Sequence, residues 1–480
     1  MKYEVVMGLE VHVELDTESK LFCSCSAKFG AEPNENVCPA CAGMPGMIPI
    51  LNRKAVELGI AAGLVTNCQI SPTITFDKKN YFYPDLSCGY QITQWFAPIC
   101  RNGYVEIETN GGAGKRINLK QIHIEEDAGK LVHERGVTLV DYNRASVPLV
   151  EIVSKPDFRT ADEVIAYVEK LRSLLAFAGV SDCRLQEGSM RCDVNLSVRE
   201  AGTDRLGVRT EMKNLNSLRS ISRAIEFESQ RHISALEEGR SAELVQETRR
   251  WDDNLGESFS MRTKEDAMDY RYFPCSDIMP VSISTDWIDQ VKSALPESAH
   301  DKYVRMTGEL GASQQDSRLI TGSKRLSDIF DGVMAHGLNA RDVASWIVTE
   351  LLSMTTDENK SYDDISIDCN KFALLISMVD SKTINRATAK KILTLIYNED
   401  IDPVAYVKDN DLGMVTDNSF LEGVISSVLE ENSKSVGQFL AGNEKVLGFL
   451  MGKAMSKTAG KADPVVVREM LSDALDKLRK

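Results

Sequence analysis

The chain lacks any run of 18 apolar residues, so no segment reads as a membrane-crossing helix. It also lacks the usual nucleotide signatures: there is no GxGxxG behind a strand. GGAGKR at 111–116 resembles a phosphate loop, but the required glycine and hydroxyl positions hold Thr109 and Arg116. There is no HExxH, and six scattered histidines assemble no Ser/His/Asp triad. A chain of this kind that uses ATP must use a non-standard site. The first residues, MKYEVVMGLEVHVEL, carry acids throughout and no apolar leader core, so the expected compartment is the cytoplasm. Low-complexity tracts, long linkers and convincing repeats are missing as well. An odd count of 11 cysteines argues against a disulfide framework. Positive charge is in deficit, with a net charge of −15, which on average disfavours a nucleic-acid binder. That average conceals a basic end. The last 40 residues hold eight basic and five acidic side chains, leaving −18 on the rest.

What is present begins with GLEVHVEL at 8–15. Leu9, Val11, Val13 and Leu15 alternate with Glu10, His12 and Glu14, the pattern of a half-buried strand. Its polar face carries two carboxylates and an imidazole. RCDVNLSVR puts Arg191, Asp193, Asn195, Ser197 and Arg199 on one face. VRTEMKNLNS does the same with Arg209, Glu211 and Lys213, followed by Asn214 and Asn216. QIHIEEDAGK offers His123, Glu125 and Asp127, and PLVEIV sets Glu151 between apolar neighbours. One such strand is ordinarily a solvated sheet face. Several together collect oxygen and nitrogen donors suited to a hard divalent ion such as Mg²⁺ serving a nucleotide phosphate.

Cys23-Ser-Cys25 and Cys38-Pro-Ala-Cys41 form two close pairs that can surround one tetrahedral ion. Four thiolates without an open position describe structural zinc; the alternatives are four reduced core cysteines or an iron–sulfur centre. KKNYFYPDLSCGYQ at 78–91 reads as a loop, with Lys78 and Lys79 available to phosphate and Tyr81, Phe82 and Tyr83 to a base. Packing is the commoner use of such an aromatic run.

Helices interrupt the strands: one after Asn52, one opened by the capping-box pattern Thr160-x-x-Glu163 and closed at Gly179, one closed at Gly239. The pattern is α+β with a mostly antiparallel sheet. DYRYFPCSDIMP at 269–280 reads as the rim of that domain. Beyond about residue 295 helical periodicity dominates, Asp402-Pro403 reads as a hinge, and residues 406–480 form a further helical unit.

Taken in order, EVVMGLEVHVEL, CSCSAKFG with CPACAGMPG, FDKKNYFYPDL, GYQITQ, IHIEEDAGKL, DYNRASVPLVEIV, EGSMRCDVNLSVR, EMKNLNS and DYRYFP resemble the B subunits of the tRNA-dependent amidotransferases. The likeness covers essentially the whole chain, and GKAMSKTAGKADPVVVREML resembles that family's YqeY-like tail. The related archaeal E-type proteins carry an inserted domain for which this chain has no room.

The resemblance implies a catalytic cradle domain over 1–292, a helical linker domain over 293–405 and the tail over 406–480. It implies an enzyme that uses ATP to phosphorylate the side-chain carboxylate of Glu-tRNA(Gln) or Asp-tRNA(Asn). Ammonia released from glutamine by a partner amidase, the A component, then displaces phosphate, and a small C component completes the heterotrimer. Glu10, His12, Glu125 and Glu151 are expected to form the Mg²⁺ platform. Lys79, Asn80, Tyr81, Tyr83, Asp85, Asp193, Asn195, Glu211, Lys213 and Asn214 are expected to line the pocket for ATP and the aminoacyl end. Cys23, Cys25, Cys38 and Cys41 match the family's zinc ligands, and Lys453, Lys457, Lys461 and Arg468 are expected at the tRNA. One departure stands out: Ser87-Cys88 replaces the family's frequent Pro-Lys before Gly89. Two other readings compete, a non-catalytic zinc-bearing tRNA scaffold and a stand-alone phosphotransferase. The full motif set disfavours the first and the basic tail the second.

Overall fold

The computed structural model describes every residue except 1, 110, 111, 113, 264–269, 355–361, 415–417, 459, 460 and 480. The glycine-rich 111–116 segment and the Asp269 end of the rim motif therefore lie partly outside the described residues. The chain divides into two compact units, Met1–Ser298 and Ala299–Lys480.

The first unit is built on a ten-stranded sheet. In chain order its strands are β1 (Tyr3–Glu14), β2 (Gln69–Ile70), β3 (Cys100–Arg101), β4 (Tyr104–Glu108), β5 (Gly114–Glu126), β6 (Pro148–Ser154), β7 (Met190–Glu200), β8 (Thr210–Lys213), β9 (Glu247–Asp252) and β10 (Glu257–Thr263). The spatial order is β10-β9-β8-β7-β1-β6-β5-β3-β2, with β4 also on β5. Pairing is antiparallel except for β8 and β9. A parallel pair needs a crossover, and the helix Leu218–Glu237 supplies it.

Alternation sorts the sheet into two faces. Leu9, Val11, Val13, Ile122, Ile124, Val150, Ile152, Val194 and Leu196 join one core with the helices Arg53–Val65, Ala161–Phe177 and Leu218–Glu237. Their starts are the expected ones: Asn52, Thr160 and Ser217 each accept a backbone N–H of the first turn. Close approach selects glycine in the first helix, because a Cβ on Gly63 would stand 2.6 Å from the Ile70 side chain. With helices on one face only, the other face is left open above the central strands.

A separate three-stranded sheet sets Asp77–Asn80 between Tyr90–Thr93 and Phe273–Pro274. It brings the DYRYFP motif back beside the loop at 81–89.

The second unit is helical, with one core from Met306 to Val407 and another from Leu421 to Leu475. Asp402-Pro403 is a helix start rather than a hinge: Asp402 caps Pro403–Asp409, and Val407 packs into the preceding core. No described helix is long and apolar enough to cross a membrane.

Candidate active site and metal centre

Register decides which polar residues meet on the open face. His12 lies opposite Glu151 on one side and Arg191 on the other, and Glu151 lies opposite His123. One row across four strands thus reads His123, Glu151, His12, Arg191. The next row places Glu10 opposite Asp193, and Asn195 lies opposite Glu211.

Two groups result. In the first, His12 Nε2 stands 3.6 Å from both Glu125 Oε1 and Glu151 Oε2. His123 Nε2 lies 2.8 Å from Glu151 Oε2 and 3.5 Å from Glu125 Oε2. Thr93 Oγ1 donates to Glu125 at 3.0 Å. In the second, Glu10, Asp193 and Glu211 converge with ligand atoms within 4.8 Å of one another. Lys213 Nζ bridges Asp193 at 2.5 Å and Glu211 at 2.9 Å. Asn195 donates to Glu10 at 3.1 Å and Thr248 to Glu211 at 2.9 Å.

The electrostatics follow the grouping. Burial lowers the affinity of His123 for a proton, but Glu151 and Glu125 more than reverse this and push it up to about 10. His12 is raised in the same way, against burial. Glu151 is held well below the carboxylate range, against burial, by His123 and His12. Glu10 goes the other way: burial, then Glu151 and Glu211, raise it. Two carboxylates balanced by two imidazoles, beside three carboxylates balanced by one ammonium, make a floor that accepts positive charge. The donor set, with ligand atoms within 4.8 Å in each trio, fits hard divalent cations. His12, Glu125 and Glu151 would hold one of them.

The expected platform of Glu10, His12, Glu125 and Glu151 is thus divided, with Glu10 joining Asp193 and Glu211. All of these except Asp193 line a cleft of about 530 Å³, together with Lys79, Asn195 and Lys213. Other expected pocket residues stand elsewhere. Asn80 holds the backbone of Tyr270 and Arg271 through its amide. Asn214, at φ 67°, donates to the Trp251 carbonyl. Tyr81 packs edge-on against Tyr270 at 5.9 Å, while Tyr83 is exposed. Asp85 lines a second, smaller pocket of about 290 Å³ beside the cysteines, together with Cys88 and Glu126. Lys78 is taken by Asp277 at 2.7 Å.

The cleft also contains residues outside the expected set: Trp95, Lys120, Arg209, Thr248, Tyr270 and Tyr272. Arg209 was legible, since it alternates with Glu211 and Lys213. Tyr270 and Tyr272 alternate within DYRYFP, which was the available signal for a shared face.

Cys23, Cys25, Cys38 and Cys41 come together with sulfurs within 4.8 Å. Cys38 and Cys41 are 3.9 Å apart, close to the ~3.8 Å that two ligands of a tetrahedral zinc would span at ~2.3 Å bond lengths. Lys20, fully buried, donates to Cys41 Sγ at 3.5 Å and to the Tyr142 carbonyl at 3.0 Å. A buried ammonium calls for an anion, and a thiolate is the one at hand. The cluster is consistent with a zinc site.

A one-sided sheet with a carboxylate–imidazole floor, a four-cysteine knot and a helical extension defines a class, and comparison with known proteins gives the same one. Residues 5–289 match the GatB/GatE catalytic domain and residues 328–475 the GatB domain. The aspartyl/glutamyl-tRNA(Asn/Gln) amidotransferase B subunit of Lachnoclostridium phytofermentans is 48% identical over 477 residues, 99% of both chains. The same-named proteins of Agathobacter rectalis (48%, 98% of this chain and 99% of its own) and Caldicellulosiruptor bescii (47%, all of both) are similar to it. The chain belongs to the family of aspartyl/glutamyl-tRNA(Asn/Gln) amidotransferase B subunits, components of a glutamine-hydrolysing ligase of translation.

Proposed function

We propose that the open face activates the side-chain carboxylate of Glu-tRNA(Gln), Asp-tRNA(Asn) or both by phosphorylation from ATP. The γ-phosphoryl group passes to a carboxylate oxygen, giving an acyl phosphate and ADP. Ammonia then attacks the acyl carbon and the C–O bond to phosphate breaks, leaving the amide. Ammonia comes from glutamine through the amidase (A) partner, a small C component completes the assembly, and the setting is cytoplasmic.

The observation that carries this reading is the pair of acidic groups side by side, His12–Glu125–Glu151 and Glu10–Asp193–Glu211, all but Asp193 lining one cleft. Phosphoryl transfer depends on positioning and charge compensation, and bound Mg²⁺ supplies the compensation on the phosphates. His123 and Thr93 hold Glu151 and Glu125 in place. Lys213 holds Asp193 and Glu211 together. Lys79, with Lys120 and Arg209, meets the phosphates from the cleft wall. Asn195 fixes Glu10; Asn80 and Tyr81 brace Tyr270 from outside the cleft, and Tyr83, Asp85 and Asn214 lie outside its lining. Residues 1–292 act as the cradle, 293–405 as a linker and 406–480 as the part that touches tRNA.

The test is amidation of misacylated tRNA by the assembled heterotrimer with ATP, Mg²⁺ and ammonium salt in place of glutamine, which bypasses the amidase. Intact protein should yield the amide, and His12→Ala should yield little. Equal product from both would make the face structural. No product from either, with zinc and tRNA still bound, would leave a scaffold.

A further inference from the structure

The cleft has an aromatic end that the phosphoryl chemistry above leaves unused. Trp95 and Tyr272 are stacked, with ring centroids 4.3 Å apart and an angle of 12° between planes. Tyr270 meets Tyr272 edge-on at 6.0 Å. The arrangement is built by topology. Trp95 leaves the strand Tyr90–Thr93, Tyr272 enters Phe273–Pro274, and both strands flank Asp77–Asn80. Asp77, fully buried, then fixes the turn: its Oδ2 accepts the Trp95 N–H at 2.7 Å and the Phe96 N–H at 3.0 Å. Trp95 is nevertheless 53% exposed, although Trp251 and Trp346 are buried. A half-exposed ring on a fixed backbone, stacked on one face only among the described residues, is a platform for a further ring. Its surroundings add the complementary charge. Lys79, Lys120 and Arg209 line the same cleft, and among the described residues they make no ion pair; Lys79 stands over the Tyr270 ring at 4.9 Å.

We propose that the Trp95–Tyr272 stack seats an adenine ring whose phosphates run towards Lys79, Lys120 and Arg209. The proposal rests on the ATP and tRNA reading given above. Adenine reaches this enzyme from two sources, free ATP and the 3′-terminal adenosine of tRNA, and stacking chemistry is common to both. Tyr81, Phe82 and Tyr83, the run that suggested base stacking in the sequence, are displaced from this role, since none lines the cleft.

The experiment is calorimetric binding to the chain in its heterotrimer, with ATP, with tripolyphosphate (which carries no base), and with tRNA with and without its terminal adenosine. Trp95→Ala and Trp95→Phe are compared with the intact protein. If the ring is ATP's, Trp95→Ala weakens ATP roughly tenfold, spares tripolyphosphate, and Trp95→Phe restores most of the loss. If the ring is the terminal adenosine's, the same pattern appears as lost discrimination between the two tRNAs. Unchanged ATP and tRNA binding in Trp95→Ala, with ammonia-dependent amidation intact, overturns the seat alone. Absence of ATP binding and ATP-dependent amidation in the intact protein overturns the seat together with the reading it rests on.

Discussion

His232 is 1% exposed and sits behind β8, its Nε2 2.9 Å from Thr210 Oγ1. The charged groups around it are Glu228, Glu247, Arg231 and Arg249. Burial, then Arg231, lowers it from 6.5 to about 4. The sign follows directly. Between those values the unfolded chain carries a proton that the folded chain refuses. Stability is therefore fully present above 6.5 and is lost as pH falls towards 4, by roughly 3 kcal/mol in all. Urea midpoints at about pH 7.5, above this window, and about pH 4.5, near its acid end, should differ less in His232→Gln than in the intact protein. An unchanged difference would place the acid sensitivity elsewhere. At this scale, alternation exposed the right side chains on the open face, His12, Glu151, Asp193 and Glu211 among them. It could not say which would meet. The resemblance grouped Glu10 with His12, Glu125 and Glu151, whereas register across β7 and β8 sets it beside Asp193 and Glu211. Trp95 and Tyr272 were invisible for the same reason, since a third strand brings them together.

Elements were the most legible level, because caps and periods are local. Thr160 caps its helix through the N–H of Glu163 at 3.2 Å, and the Glu163 carboxylate takes the Arg159 N–H at 2.7 Å and Lys115 at 2.8 Å. Thr160→Ala should cost about 1 kcal/mol in a urea titration, and Glu163→Ala more than an isolated capping loss, since it also strands Lys115. The cysteine loop was legible by spacing, and its attachment shows what a zinc ion held there would support. Ile50 N–H donates to Phe22, Asn52 N–H to Leu21, and Asn34 and Asn36 are tied to Asp141 and Asn143. These bonds, with others such as Leu21 N–H to the Ser146 carbonyl and Ser87 Oγ to the Cys41 carbonyl, tie down a long irregular segment at scattered points. Cys38→Ser should abolish the zinc released to a colorimetric chelator. Amide exchange should then rise across residues 20–50 while β1, paired along Tyr3–Val13 on one side and over Glu10–Glu14 on the other, stays protected. Rapid exchange in β1 as well would mean that the metal supports the whole sheet.

For the whole molecule the question is how a chain of net charge −15 meets a polyanion. The tail's excess of positive charge is the answer proposed, but its four candidate cations are unequal. Lys457 is paired with Glu431 at 2.5 Å, and Lys461 with Asp411 at 2.7 Å. Lys453 lies over the Phe449 ring at 5.5 Å, and Arg468 is exposed. A cation already neutralised by a neighbour releases fewer counterions from a phosphate than a free one, since its own partner must first be left behind. Lys453→Glu and Arg468→Glu should therefore each lower the slope of log affinity against log salt by about one, measured by filter binding of tRNA between about 50 and 200 mM salt. Lys457→Glu and Lys461→Glu should move it less. Equal effects from all four would mean that the ion pairs open on binding. No effect from any would move tRNA recognition off the tail, leaving the acidic body to bind through the aromatic and basic wall of its own cleft.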